Sequence, residues 1–144
     1  MIEVMSLFPS AIGIKDTRID TSKMLETCLQ IESEDHGLVH GEAKSTYTTE
    51  NNILEHSDFS IAKSVITSEV NIFGRQIGID MSNVKLGRSW FNIQKRGSTI
   101  MQHNHRRSVI SGAFYIYADK DAAPITFASP LMGHKMYEPA FGGT

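Results

Sequence analysis

Of the six histidines, only two sit together, in His103-Asn104-His105. In an extended backbone, residues i and i+2 point to the same face, so both imidazoles can converge on one ion. Neutral imidazole suits Fe(II), Zn, Ni or Cu, and a metal that keeps open positions can activate oxygen or water. Two donors are an incomplete ligand set, and the same motif also reads as a solvated loop beside Arg106 and Arg107 with no ion at all. Those two arginines either steer an anionic co-substrate or are simply hydrated. His36 and His40 have the i, i+4 spacing of a helical metal pair, but Gly37 and Gly41 argue against a helix there, and no carboxylate motif accompanies them. Cys28 lies on an apolar helical face and reads as a small core residue rather than a nucleophile.

The histidine motif falls between a predicted strand ending at Gln102 and a longer one beginning at Val109. Arg88–Gln94, Ser98–Gln102, Val109–Tyr117 and Ile125–Ala128 are short and rich in β-branched and aromatic residues. Arg96-Gly97, His-Arg-Arg and Asp-Lys-Asp turns separate them. Along Val109–Tyr117, alternation puts Ser111, Ala113, Tyr115 and Tyr117 on one face and Ile110, Gly112, Phe114 and Ile116 on the other. Trp90 and Asn92 share parity, so both line a pocket or both fill the interior.

Before this β-rich part the pattern is helical. Behind an Asp20-Thr21-Ser22 cap, Met24, Leu25, Cys28, Leu29 and Glu32 recur at helical spacing and predict about ten to twelve helical residues. Ser57 or Asp58 caps a longer helix with the one-sided stripe Phe59, Ala62, Ile66, Val70, Phe73 and Ile77, ending near Gly78. Ile2 to Phe8 and Ala11 to Ile14 read as short strands or an extended leading segment. Residues 33–52 are polar and without lasting periodicity, which predicts a long loop or irregular strand. The expected organisation is one domain over 1–144, with a helical and extended support region (1–82) and a β core (83–144).

Composition bounds the function. With 144 residues the chain fits one ordinary domain. A formal net charge of −2 gives no overall basic field for neutralising phosphates, so nucleic acid is not expected as an obligatory partner. One cysteine excludes an internal disulfide and a cysteine-based structural zinc site, which predicts a reducing compartment. There is no basic segment leading into a long apolar run, and no stretch of 18 apolar residues, so a cytoplasmic protein without a membrane partner is expected.

Gly97 followed by His103-x-His105 resembles the first half of the cupin motif, but Val109 and Ile110 stand where its glutamate belongs. A closer resemblance is to a family of 2-oxoglutarate/Fe(II) oxygenases of marine bacteria and phages, built on the double-stranded β-helix. It is carried by Leu7-Phe8-Pro9-Ser10, Trp90-Phe91-Asn92-Ile93, Gly97, His103-Asn104-His105, Ser108 to Ile116, and Ile125-Thr126-Phe127 with Ser129-Pro130. The resemblance runs from about residue 6 to the C-terminus and is most specific from Trp90 to Pro130.

The resemblance implies a mainly β fold with N-terminal helices, a jelly-roll-like double-stranded β-helix incomplete at its C-terminal end. It implies Fe(II) and 2-oxoglutarate as cofactors and hydroxylation of an unknown substrate. His103 takes the place of the first iron ligand, and His105 stands in the carboxylate position of the family's usual pair. Tyr115 matches a tyrosine that hydrogen-bonds 2-oxoglutarate in prolyl-hydroxylase-like relatives, with Asn92 and Ser111 as further co-substrate candidates. The other reading of Tyr115 is a core tyrosine whose hydroxyl bonds to backbone. The distal histidine and the arginine that grips the co-substrate are expected beyond Thr144, and His134 comes too early for the former. The chain by itself is therefore expected to be inactive, and its uncovered strand edge to pair with another copy as a homodimer or larger oligomer. The readings from other classes are a non-catalytic cupin-like binding or structural protein and a metal-binding cupin.

Overall fold

The computed structural model describes residues 10–31, 33–35, 38–50 and 52–128. His36, His134, Glu32, the Leu7-Phe8-Pro9 part of the leading motif and the Ser129-Pro130 pair lie outside the described residues.

Helix α1 spans Ser22–Gln30 and α2 spans Ser60–Gln76. The first is nine residues long, starts with Ser22 N donating to Asp20 Oδ1 at 2.9 Å, and buries Met24, Thr27 and Cys28. Leu29 belongs to the predicted apolar face yet is 66% exposed, because the covered arc centres on Met24, Thr27 and Cys28. A 3-10 turn at Ser57–Phe59 leads into α2, whose stripe is buried at Phe59 and Ala62, part-buried at Ile66, Val70 and Phe73, and largely open at Ile77. The stripe thus meets the core only at the N-terminal end of the helix.

Gly78, at φ +81°, closes α2 as predicted. Its N–H donates to Arg75 O at 3.1 Å, and that of Ile79 to Gly74 O at 2.8 Å, the paired pattern of a left-handed helix end. The chain then folds Met81 back onto Gly74, where a Cβ would collide with the methionine sulfur. Residues 10–21 form no regular element and Ile14 is 94% exposed, so Ala11 to Ile14 form no strand, while Ile2 to Phe8 lie outside the described residues.

The described residues hold five short strands, β1 Glu34–Asp35, β2 Val39–His40, β3 Ala43–Ser45, β4 Asn92–Gln94 and β5 Thr99–Ile100. β1, β3 and β4 make an antiparallel sheet with β3 in the centre, where Ser45 pairs with both Glu34 and Asn92. β2 and β5 make a separate antiparallel pair with Val39 opposite Ile100. The segment predicted as a long loop or irregular strand therefore holds three strands, each too short to show periodicity in sequence, and β2 and β3 become strands by pairing with residues far along the chain. His40 lies on β2, which rules out its helical pairing with His36.

The architecture is α+β, with short antiparallel strands both before and after α2 rather than helices first and strands after, but no jelly-roll is formed among the described residues. Val109–Tyr117 and Ile125–Ala128 are not strands. Their residue types favour extended backbone, and alternation survives in the packing: Phe114 and Ile116 reach the core while Tyr115 and Tyr117 are 58% and 69% exposed. A strand also requires a hydrogen-bonding edge alongside, and no described segment provides one.

The core among the described residues is small: Met24 and Cys28 of α1, Ile53 of a first 3-10 turn at Ile53–Glu55, Phe59 of the second at Ser57–Phe59, Ala62 of α2, and Phe91 just before β4. Lys23 and Thr27 clamp α1 to the second turn through Asp58, with Lys23 Nζ 2.8 Å from Oδ1 and Thr27 Oγ1 donating to Oδ2 at 2.8 Å. Both contacts hold the Asp58 carboxyl below the usual carboxylate range. No helix among the described residues is long and apolar enough to cross a membrane.

Candidate metal centre

The sheets position the histidines through two turns. At Lys95–Ser98, with Gly97 at φ +79°, the chain leaves β4 and enters β5, passing from one sheet to the other. Met101 continues the β5 pairing by donating to Leu38 O at 2.8 Å. Beyond it, the carbonyl of Met101 lies 2.9 Å from His103 Nδ1. A carbonyl can only accept, so Nδ1 carries the proton and the Nε2 lone pair is left for a ligand. A tight turn from His105 to Ser108 follows, with Arg107 at φ +69°.

The two imidazoles come together. Their ring centroids are 5.0 Å apart with planes at 90°, and both side chains are exposed. Metal–nitrogen bonds of about 2.0–2.1 Å place the centroids of two imidazoles sharing one ion roughly 4.5–5.5 Å apart, a range that includes the spacing of this edge-to-face pair. Two imidazoles are half a site. Among the described residues, no group of three or more His, Cys, Asp or Glu side chains could hold a metal.

Trp90 forms the wall behind His105, with ring centroids 5.5 Å apart. Tyr47 packs against Trp90 edge-on at 4.9 Å, and the Arg88 guanidinium sits 4.8 Å over the Tyr47 ring. This row exists because the backbones of Thr46 and Phe91 are tied: Thr46 N donates to Phe91 O, and Phe91 N to Thr46 Oγ1, both at 3.2 Å. Phe91 and Ile93 then face the core, which turns Trp90 and Asn92 to the other side with the histidines. The parity shared by Trp90 and Asn92 thus directs them away from the core.

The co-substrate candidates are placed as follows. Asn92 is exposed, and its Oδ1 accepts a 2.7 Å hydrogen bond from Ser45 Oγ. Ser111 and Tyr115 lie on the outward face of the extended run after the histidine turn, and Tyr115 is not a core tyrosine. Arg106 and Arg107 are exposed next to His105. Cys28 is far from this chemistry in sequence and environment: buried in the core, its thiol is pushed up to about 11 by loss of hydration. Sequence reasoning passed over Tyr47 and Arg88. The Ser45-Thr46-Tyr47-Thr48-Thr49 run is β-prone, and that bias was the available signal.

A β-supported histidine pair of this kind can supply two ligands to a divalent ion. Residues 88–143 match the family model described as "Putative 2OG-Fe(II) oxygenase". The match supports the family resemblance read from Trp90 to Pro130, and both histidines lie within the matched residues. No curated protein and no solved structure matches the chain.

Proposed function

We propose that this chain is a 2-oxoglutarate/Fe(II)-dependent oxygenase-like protein with little or no turnover by itself, with His103 and His105 as two of the iron ligands and hydroxylation of an as yet unknown substrate as the reaction type. The observation that supports it is the imidazole pair, 5.0 Å between ring centroids, inside the segment that matches the family. Iron, when bound, supplies the redox step that couples decarboxylation of 2-oxoglutarate to hydroxylation.

The protein's own part is to orient and to hold. Met101 O fixes the His103 tautomer, and Trp90 limits the swing of the His105 ring. Arg106 and Arg107 lend positive charge where a dicarboxylate approaches. Tyr115, Ser111 and Asn92 offer hydroxyl and amide groups for its oxygens. Two neutral nitrogens without a carboxylate hold a divalent ion weakly, so turnover by this chain alone is expected to be slight.

The test is an anaerobic titration with Fe(II) and then 2-oxoglutarate, following the metal-to-ligand absorption band. A saturable band that weakens at least tenfold in apparent affinity in His103→Ala and in His105→Ala supports the reading. No band at millimolar iron and co-substrate, or a band that survives both substitutions, overturns it.

A further inference from the structure

We propose that the face carrying Arg88, Tyr47 and Trp90 binds single-stranded nucleic acid, independently of any metal. Two observations carry this: a segregation of charge that the net value conceals, and a row of rings that starts under one of those cations, Arg88, and ends at the histidines next to Arg106 in the chain.

Between Asp80 and Asp119 the chain holds six basic side chains, Lys85, Arg88, Lys95, Arg96, Arg106 and Arg107, and no acidic one. That leaves eight of the fourteen Lys and Arg elsewhere, against all sixteen Asp and Glu. All six basic residues are exposed, and none forms an ion pair with another described residue; the ion pairs involve Lys15, Arg18, Lys23, His56 and Lys63 instead. A net charge of −2 argues against a protein that is basic throughout, but a phosphate chain responds to the local field within about a Debye length, roughly 8–10 Å in ordinary salt.

The rings supply what a field alone lacks. Arg88 over Tyr47, Tyr47 against Trp90, Trp90 against His105, and His105 against His103 form one unbroken row with successive spacings of 4.8, 4.9, 5.5 and 5.0 Å. None of the ring–ring contacts is a parallel stack: their interplanar angles are 79°, 55° and 90°. At most one ring face in each pair is therefore used inside the row, and Tyr47 is 45% exposed. Aromatic faces beside unpaired cations are the combination that holds unstacked bases and their phosphates, because every base has a π face and every linkage a negative charge. A duplex keeps its bases stacked on one another and can use only the charge, so single strands are preferred.

The probe is a fluorescein-labelled single-stranded DNA oligonucleotide of mixed sequence, followed by anisotropy on the full chain with a chelator present, so that failure of iron binding has no bearing on the result. Saturable binding is expected, with a log–log salt slope of about −2 to −4 for a few phosphate contacts. Tyr47→Ala should weaken binding about fivefold or more through lost stacking, Tyr47→Phe should restore it, and Arg88→Gln should weaken it and flatten the salt slope. The emission of Trp90, the sole tryptophan, should change on binding. Unlabelled RNA of the same sequence, competing better or worse than DNA, identifies the preferred strand. The proposal is overturned if no binding occurs at low salt, if Tyr47→Ala binds like the parent, if Tyr47→Phe fails to restore affinity, or if polyphosphate, duplex DNA or phosphatidylserine vesicles compete as well as the single strand.

Discussion

At Asp58 three side chains settle how α1 meets the rest of the molecule. The carboxylate accepts from Lys23 and Thr27, and these contacts depress its pKa in the folded state. A depressed carboxylate contributes stability that is fully present above its unfolded value, about 3.9, and is lost as pH falls through the folded one. Asp58→Asn should therefore flatten the acid limb of a plot of urea stability against pH; an unchanged acid limb would show that the clamp adds nothing. Cys28 gives a second expectation at this scale. With its thiol pushed up to about 11 and buried, alkylation at pH 8 should be slow in the native protein and fast in denaturant, and equal rates would contradict its place in the core.

Helix ends and strand pairs behave differently as elements to be read. The end of α2 is local: Gly78 at φ +81° is what the closing turn needs, and Gly78→Ala should cost about 1 kcal/mol in a denaturation experiment. A cost near zero would mean that the turn relaxes without it. Because such ends depend on neighbours within a turn, both helices and the Arg96-Gly97 turn were legible in the sequence. β1, β2 and β3 were not, since each is two or three residues long and owes its existence to a distant partner, as Lys44 does to Ile93. The alternation of Val109–Tyr117 was legible as residue types and is visible in the exposure of Tyr115 and Tyr117, but its membership of a sheet was not decided by those types. At the site, His103 and His105 were legible as a pair because two residues of extended chain suffice to align them. Tyr47 was invisible beside Trp90 because the ladder joining them spans the chain.

For the whole molecule, the surface left open by the small core matters most. Val109, Tyr115, Tyr117, Ile125 and Phe127 are each more than half exposed and lie within one stretch that joins no sheet and turns once, at Asp119–Ala122. Uncovered apolar side chains on unpaired backbone tend to associate with a like segment. Light scattering at micromolar concentration should give a mass near twice the 16.0 kDa chain, falling to that of the monomer in Tyr117→Lys. A monomer at all concentrations would show that this stretch is tolerated in water. The sheets also bear on the order of assembly. Val39 meets Ile100 and Ser45 meets Asn92 only after the intervening helix and turns have drawn the two stretches together. Contacts of such sequence separation form late, because the closure of a long loop precedes any gain from it. The helices can take shape before β4 and β5 find their partners, so the strand support beneath the imidazole pair is among the last features to form as the chain folds. Residues 88–143, separated from 34–47, would lose the ladders that hold β4 and β5. The stretch that defines the family borrows its scaffold from a part of the chain that the family model does not cover.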